Sequence, residues 1–195
     1  MLLVVGLGNP GREHEGQRHN VGFMVLDALR SAEGWPEYRE KHSGLTTRGE
    51  LAGQPVALLA PQTYMNLSGE SVQPAAAFLK VAPADIVVVH DELDLPWGDL
   101  RIKVGGGHAG HNGLRSIMQR LGTPDFARVR VGVGRPPPGF TGSGADWVLS
   151  RFDAVERAEL GDVVARAVDA VRRIAKDGLA PAMKHVNTGV VATKG

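Results

Sequence analysis

Two residues far apart in the sequence, His19 and Asp91, carry side chains that together can activate a water molecule. A neutral imidazole can take a proton from water near pH 7, and a carboxylate behind the ring fixes its tautomer and stabilises the cation that forms. Each residue also has a structural alternative, because His19 suits a helix N-terminus packed on a sheet and Asp91 suits a strand end. We prefer the catalytic interpretation of the pair.

Three asparagines, Asn9, Asn66 and Asn112, add neutral amide donors that can polarise a carbonyl group and bind its developing oxyanion. Their structural alternatives are a turn residue for Asn9 and helix starts or caps for the other two. No serine lies in a nucleophile-elbow pattern, which favours direct attack by water over a covalent acyl-enzyme. The residue types therefore indicate hydrolysis of a carbonyl compound.

Short apolar strands followed by polar loops are the elements that must position these side chains. Residues 2–5 form an apolar, β-branched run, and residues 85–90 form the most convincing buried strand in the chain. Ligands of open α/β sheets bind at the carboxyl ends of the strands. We expect the loops after residues 5, 60, 90 and 133 to gather four side chains on one side of a sheet: Asn9, His19, Asn66 and Asp91.

Two segments between the strands have apolar residues at helical spacing. The first covers residues 21–29 and continues to Gly34, a typical C-terminal stop. The second covers residues 114–121, with Asn112 near its cap.

Two further helices are predicted, one with an uncertain start and one with well-marked ends. An alanine-rich helix follows Asn66, but Pro74 argues against a start at Ser68, because proline fits a first turn far better than an interior one. Asp153 with Glu156 predicts a capping box for a long helix that ends at Gly178.

The order of these elements predicts the fold class. Residues 45–51 and 56–60 indicate a hairpin joined through Gly53, whereas residues 35–44 are polar and irregular. Strands that alternate with helices favour a mostly parallel sheet covered on both faces. We therefore expect an α/β protein with a single domain over residues 1–195, a three-layer α/β/α sandwich around a mixed, mostly parallel central sheet.

The charge balance excludes a general attraction to nucleic acid, since 22 Lys and Arg face 21 Asp and Glu for a net charge of +1. A nucleic-acid partner would therefore have to be bound by a local patch of positive charge. Arg101 with Lys103 and Arg128 with Arg130 alternate with apolar residues, so each pair shares one face of a strand. Ordinary solvated surface is the alternative. Residues 134–144 follow as an exposed loop rich in Pro and Gly.

The composition also bounds the cellular setting. The chain has no cysteine, which rules out disulfides and thiol catalysis and fits a reducing compartment. Its amino terminus lacks a signal-type pattern, and no apolar run approaches the ~18 residues of a membrane span. We expect a soluble, cytoplasmic protein with no membrane partner.

Two glycine-rich stretches match nucleotide-binding patterns only in part. Residues 6–11 fit the dinucleotide fingerprint, but the helix that should open there is delayed to about His19, and Asp27 falls inside that helix. Residues 105–112 resemble a P-loop but end in His111 and Asn112 where Lys and Ser or Thr are required. We therefore expect no nucleotide cofactor.

A metal site is a weaker alternative, suggested by His108 and His111 together with Asp91, Asp94 and other histidines. The histidines lack the helical spacing that puts two imidazoles on one face, and no Glu follows as a base. His111 could also be a loop residue that donates a hydrogen bond. We expect no metal.

Four longer motifs lie in order along nearly the whole chain: GLGNPG at 6–11 with RHN at 18–20, TYMNLSG at 63–69, HDELDLP at 90–96 and GGGHAGHNG at 105–113. Together they resemble the bacterial-type peptidyl-tRNA hydrolases. This resemblance implies a monomeric, metal-free esterase that cleaves the bond between a peptide, or an N-blocked amino acid, and the terminal ribose of tRNA, recycling tRNA from abortive translation. A non-catalytic RNA-binding module of the same fold is the alternative.

The resemblance also implies a role for each matching residue. His19 is the general base and Asp91 orients it, while Lys103 and Arg130 clamp the 5′-phosphate of the acceptor stem. The residues implied to bind the peptide and the 3′ end are Asn9, Met65, Asn66, His111 and Asn112.

The chain departs from the family pattern beside the base. His14 stands where the family usually has Tyr, and Gln17 replaces the usual Thr before Arg18. We count His14 among the substrate-binding candidates, although its role does not follow from the motif.

Overall fold

The computed structural model describes residues 1–188, which contain seven strands and six α-helices. The strands are β1 (Leu2–Gly6), β2 (Arg39–Lys41), β3 (Gly44–Leu51), β4 (Gln54–Pro61), β5 (Ile86–Glu92), β6 (Leu100–Val104) and β7 (Ala127–Gly132). The helices are α1 (Val21–Glu33), α2 (Gly69–Leu79), α3 (Asn112–Leu121), α4 (Gly144–Val148), α5 (Ala154–Asp177) and α6 (Leu179–Thr188). Residues 189–195, the end of the predicted domain, lie outside the described part.

One mixed sheet with the strand order β2-β3-β4-β1-β5-β7-β6 organises the molecule. Its four inner strands, β4, β1, β5 and β7, run parallel, while β2, β3 and β6 add antiparallel pairs at the two sides. Strand β1 and the first four residues of β5 are buried apolar runs, as expected for parallel strands covered on both faces. The predicted sheet type and the predicted hairpin are both confirmed.

Helices cover both faces of this sheet. On one face, α1 and α5 pack on inner-strand residues such as Val4 and Val129. On the other face, α2 and α3 pack on residues such as Val5 and Val88. Because alternate residues of a strand point to opposite faces, each inner strand serves two separate apolar cores. The three-layer α/β/α sandwich predicted from the sequence is confirmed.

A close helix-to-strand contact fixes the start of α1 against the ends of β1 and β5. A Cβ atom added at Gly22 would lie 2.4 Å from the Leu7 backbone nitrogen and 2.5 Å from the Val89 carbonyl oxygen. Such distances are too short for any side chain, so glycine lets the helix start approach the strand ends. The segment that carries His19 is thereby held at the carboxyl edge of the sheet.

The prediction for the alanine-rich helix needs correction. Pro74 lies inside α2, whose cap is Ser68, so the helix does begin where the proline argued against a start. Pro74 is exposed, and Glu70, whose carbonyl loses its helical partner, is exposed too. Water can therefore serve that carbonyl, while burial of Val72 and Ala75 stabilises the helix.

Three elements were not predicted. Strand β2 has three exposed residues and no apolar alternation, so the interpretation of residues 35–44 as irregular was wrong for this part. Helix α4 is five residues long within a Pro- and Gly-rich region. Helix α6 follows α5 directly after Gly178, and its Asn187 pairs through its side-chain amide with the backbone N–H and C=O of Ile102 on the outer edge of β6.

Among residues 1–188, no helix has the length and apolar composition needed to cross a membrane.

Candidate active site

The predicted gathering of polar residues occurs at the carboxyl edge of the parallel strands. A cavity of about 440 Å³ opens there. Seven of the ten predicted site residues line it: Asn9, His19, Met65, Asn66, Asp91, His111 and Asn112. They reach the cavity from the loops after β1 and β4, from the end of β5 and from the start of α3.

Asp91 is the centre of the site. It is 2 % exposed, and its two carboxylate oxygens each accept a hydrogen bond from a different imidazole. His19 Nδ1 lies 2.8 Å from Oδ2, and His111 Nε2 lies 3.0 Å from Oδ1. Burial alone would raise the pKa of Asp91, but the two histidines outweigh it and hold the pKa far below its usual range. The carboxylate is therefore ionised at neutral pH.

His19 lies in a 3-10 turn, Arg18–Asn20, directly before α1. Because its Nδ1 donates to Asp91, the neutral ring keeps a free lone pair on Nε2. Burial lowers the pKa of His19, whereas the charge and the hydrogen bond of Asp91 raise it, and the net direction is upward. The ring is thus a stronger base than an ordinary histidine and has an oriented acceptor atom.

His111 has a different function from His19, because both of its ring nitrogens are engaged. Its Nδ1 accepts hydrogen bonds from the backbone N–H groups of Gly113 and Leu114, 3.2 and 3.3 Å away. These donors require the proton to be on Nε2, which then donates to Asp91. His111 is therefore the N-cap of α3, and Asn112, which the sequence placed near the cap, is the first residue of the helix.

His90 is a third histidine of this cluster that the sequence did not identify. It is buried, its Nδ1 donates to the Asp91 carbonyl oxygen at 2.7 Å, and its ring meets the edge of His111 at 4.9 Å. Burial, with His111 beside it, lowers the pKa of His90 to about 3. His90 is consequently a neutral ring behind the site and does not compete for the charge of Asp91.

Asn9 is held in one orientation by two neighbours. Its backbone N–H and C=O pair with the Asn20 side chain at 2.8 and 3.0 Å, and its Oδ1 accepts from the Met65 N–H at 2.8 Å. The amide oxygen is therefore used, and the NH₂ group of Asn9 is the part left to donate. Asn20 belongs to the RHN motif, but the sequence did not predict that its side chain holds the Asn9 backbone.

Asn66 and Asn112 differ from Asn9 in that both are exposed at the rim of the cavity. Within residues 1–188, neither asparagine forms a hydrogen bond through its side chain. Met65, which precedes Asn66, is buried against Gly113, where an added Cβ would lie 2.6 Å from the Met65 Sδ. The cavity thus combines one fixed amide with two free ones.

Another part of the cavity wall comes from α4 and the residue after it, directly beyond the loop predicted at residues 134–144. Ala145, Val148 and Leu149, in and just after α4, line the same cavity as the histidines, and Arg135, which also lines it, pairs with Asp94. A capping box between Ser143 and Asp146 starts α4. That signal was present in the sequence.

The cations of β6 and β7 form a separate surface, here called the cationic strand face: Arg101, Lys103, Arg128 and Arg130. The antiparallel register places Arg101 opposite Arg130 and Lys103 opposite Arg128, so the four side chains share one face. Arg128 is 1 % exposed and donates to the carbonyls of Gly106, Gly107 and Pro124, so it holds the glycine-rich loop.

Lys103 and Arg130 remain partly exposed and lie outside the cavity. Arg130 Nη1 lies 3.6 Å from Oε1 of Glu92, which lines the cavity. The cationic strand face therefore meets the cavity at Glu92.

His14 also lies outside the cavity. Its Nδ1 donates to the Gln17 Oε1 at 3.0 Å. The two departures from the family pattern are thus in direct contact with each other.

One group of titratable residues in the described part is close enough to hold a metal ion, and it consists of His19, Asp91 and His111. Their ligand atoms lie within 4.8 Å of one another. Both imidazoles already satisfy Asp91 through their own N–H groups, so the group is complete as a hydrogen-bonded cluster. His108 of the weaker metal hypothesis is not in it.

Comparison with known proteins identifies the family. Residues 3–194 match the family model described as peptidyl-tRNA hydrolase. A peptidyl-tRNA hydrolase of Sorangium cellulosum is 61 % identical over 188 residues, covering 96 % of this chain and 84 % of the relative. One from Mycolicibacterium vanbaalenii is 51 % identical, covering 95 % and 96 %. The crystal structure of the Acinetobacter baumannii enzyme superposes with a TM-score of 0.88 at 39 % identity, covering 96 % of this chain and 95 % of that one. The chain belongs to the peptidyl-tRNA hydrolase family.

Proposed function

We propose that this protein hydrolyses the ester bond between the peptide, or N-blocked amino acid, and the terminal ribose of peptidyl-tRNA. The observation that carries the mechanism is the 2.8 Å hydrogen bond from His19 to Asp91 beside a cavity that three asparagines line. The names of the relatives supply the substrate class. The biological result would be the return of tRNA from abortive translation.

His19 is the general base of this proposal. Its Nε2 takes a proton from water, the oxygen attacks the ester carbonyl, and the tetrahedral intermediate expels the ribose oxygen. The imidazolium then gives its proton to that leaving oxygen, so the ring returns to its neutral form. Asp91 keeps the proton of the ring on Nδ1 throughout and stabilises the cation.

The selection of His19 over His111 as the base rests on hydrogen bonding. His111 has no free ring nitrogen, because the helix N–H groups use Nδ1 and Asp91 uses Nε2. Its proposed role is therefore to hold Asp91 from the second side and, together with Met65, to line the channel for the peptide.

Neutral amides serve the substrate carbonyls in this proposal. Asn9 has a fixed NH₂ group, as an oxyanion donor needs, because a preorganised donor requires no rearrangement during the reaction. Asn66 and Asn112 are free at the rim and are assigned to the peptide carbonyls and the 3′ end.

The acceptor stem is assigned to the cationic strand face. Lys103 and Arg130 are its partly exposed cations beside the cavity, and we propose that they bind the 5′-phosphate. A substrate contact for His14 remains a prediction, and its engagement with Gln17 gives it no support.

We further propose that the protein acts as a cytoplasmic monomer without metal or cofactor. Peptidyl-tRNA arises on ribosomes in the cytoplasm, and all groups that the chemistry needs come from one chain.

The test is release of N-acetyl-amino acid from N-acetyl-aminoacyl-tRNA in the presence of EDTA. The wild-type protein is expected to turn over, and His19→Ala should lose at least about 100-fold in kcat, the scale of a lost acid-base group. His42→Asn is a matched histidine control, since His42 lies on the β2–β3 turn at a φ of 55° that Asn tolerates.

Retention of turnover in His19→Ala would remove His19 as the base. Saturable tRNA binding by the wild type without ester cleavage would favour the alternative, a non-catalytic RNA-binding module.

A further inference from the structure

The residue before the base, Arg18, has an unusually buried charge. It is 2 % exposed and contacts the neighbouring segment between α4 and α5. Its Nη1 donates to Ser150 Oγ at 2.6 Å and to the Arg151 carbonyl oxygen at 2.7 Å, and its Nη2 donates to Glu156. One guanidinium thus joins the His19 turn to residues more than 130 positions away.

Other contacts reinforce the same junction. The guanidinium carbon lies 3.5 Å from the ring centre of Trp147 in α4, and Trp147 Nε1 donates to the Gly134 carbonyl oxygen at 3.0 Å. The backbones also pair, since the Arg18 N–H donates to the Ser150 carbonyl and the Phe152 N–H donates to the Gly16 carbonyl. The His19 turn and the α4 region are therefore joined through both backbone and side chains.

The α4 region is also one wall of the cavity. Ala145, Val148 and Leu149 line it on either side of Trp147 in the sequence. Arg18 is adjacent to His19 in the chain and stacks on Trp147 of this wall. A shift of the wall would be transmitted to Arg18, and through it to the turn that aims the imidazole.

We propose that Arg18 is a positioning residue that couples the orientation of His19 to the cavity wall formed by residues 145–149. A substrate that packs against this wall then stabilises the geometry in which His19 Nε2 activates water. This inference rests on the proposed function, because it requires His19 to be the base.

The chemistry of arginine explains why this residue type is used. Its planar fork serves Ser150, Arg151 and Glu156 together while its face stacks on an aromatic ring, which the point charge of lysine cannot do. Glu156 also accepts from the Asp153 N–H in the capping box of α5, so the ion pair ends on the fixed start of a long helix. Arg18 is therefore fixed to a rigid part of the fold, as a residue that orients the His19 ring must be.

The main test compares Arg18→Lys with the wild type in kcat and KM for N-acetyl-aminoacyl-tRNA. We expect kcat to fall about 10- to 100-fold, the scale of a small misplacement of a catalytic group, while KM changes less than about 2-fold. Arg172→Lys is the matched control, because its ion pair with Glu33 also joins α5 to the α1 side but does not reach the cavity. The control should keep the wild-type kcat.

A second variant separates positioning from folding. The double change Arg18→Met with Glu156→Met removes both buried charges together, so neither is left unpaired. We expect it to remain folded by thermal unfolding and to lose kcat as Arg18→Lys does.

Coupling to the wall is tested by a double-mutant cycle in kcat between Arg18→Lys and Val148→Ala. Non-additive effects are expected, since both changes act on the junction between the His19 turn and α4. Additive effects, or a wild-type kcat per folded molecule in both Arg18 variants, would overturn the proposal. The assignment of the base is checked separately: turnover by His19→Ala contradicts the proposed function, whereas an inactive His19→Ala beside fully active Arg18 variants contradicts only the coupling.

Discussion

The cavity and the cationic strand face hold their functional side chains in opposite ways. In the cavity, His19 and Asp91 are nearly or fully buried and joined at 2.8 Å. On the cationic strand face, Lys103 is half-buried, and Arg130 has only a 3.6 Å contact with Glu92. A proton transfer depends on angles and tenths of an ångström, whereas attraction of a phosphate tolerates displacement. Changes in the cavity should therefore act on kcat, and changes on the cationic strand face on KM and its salt dependence.

Asp91→Asn is expected to have the largest effect among the tests of this comparison. Loss of the carboxylate removes the group that fixes the His19 tautomer, so kcat should fall by roughly 100-fold or more. Since the base must be neutral, activity rises with pH through the pKa of His19, which Asp91 raises. Without that charge only burial remains, and burial lowers the pKa. The rising limb of kcat/KM should therefore move to lower pH while the plateau drops.

The measurement is a pH profile of kcat/KM for both proteins. Asp169→Asn is the control, because Asp169 is an exposed carboxylate paired with Arg173 on α5. A limb that stays at the wild-type position in Asp91→Asn would show that the titrating group is not His19.

The sequence predicted the cavity well because its determinants are local. Apolar β-branched runs specify the inner strands, and polar residues directly after them must meet where parallel strands end. The sequence pattern alone therefore predicts that His19, Asn9 and Asp91 lie together. Each lies next to a strand or helix whose type the residue pattern decides.

The parts that were missed depend on pairings between distant segments. Arg18 and Glu156 are separated by 138 positions, so nothing in either local pattern indicates that they share a buried ion pair. His111 both caps α3 and donates to Asp91, 20 residues earlier, and this second contact cannot be inferred from the local pattern around the helix start.

Removal of the two candidate phosphate ligands tests the other side of the comparison. Lys103→Ala and Arg130→Ala should each lower the slope of log(1/KM) against log salt by about one unit, because each removes one phosphate contact. The kcat values should stay near that of the wild type, since neither residue lines the cavity.

Lys41→Ala supplies a matched control at the far side of the sheet. Strands β2 and β6 are its two edges, so Lys41 has the same charge but lies opposite the cationic strand face. An equal change of slope in all three variants would mean that tRNA responds to net charge alone. A fall in kcat without a change of slope would contradict the clamp.

The smallest expected effect concerns His14 and Gln17, which lie just before the turn that carries His19. Their hydrogen bond is partly buried, and Gln17, directly before the Arg18–Asn20 turn, also forms a β-bridge with Arg151.

His14→Tyr and Gln17→Thr each break this pair, whereas the double variant restores the residues usual in the family. A neutral hydrogen bond of this kind contributes on the order of 1 kcal/mol to the free energy of unfolding. We expect the sum of the stability losses in the two single variants to exceed the stability loss in the double variant by about that amount. The kcat values should change less than about 3-fold, because His19 itself is held by Asp91. Chemical denaturation of the four proteins measures the coupling, and strictly additive losses would show that the two departures from the family pattern are independent.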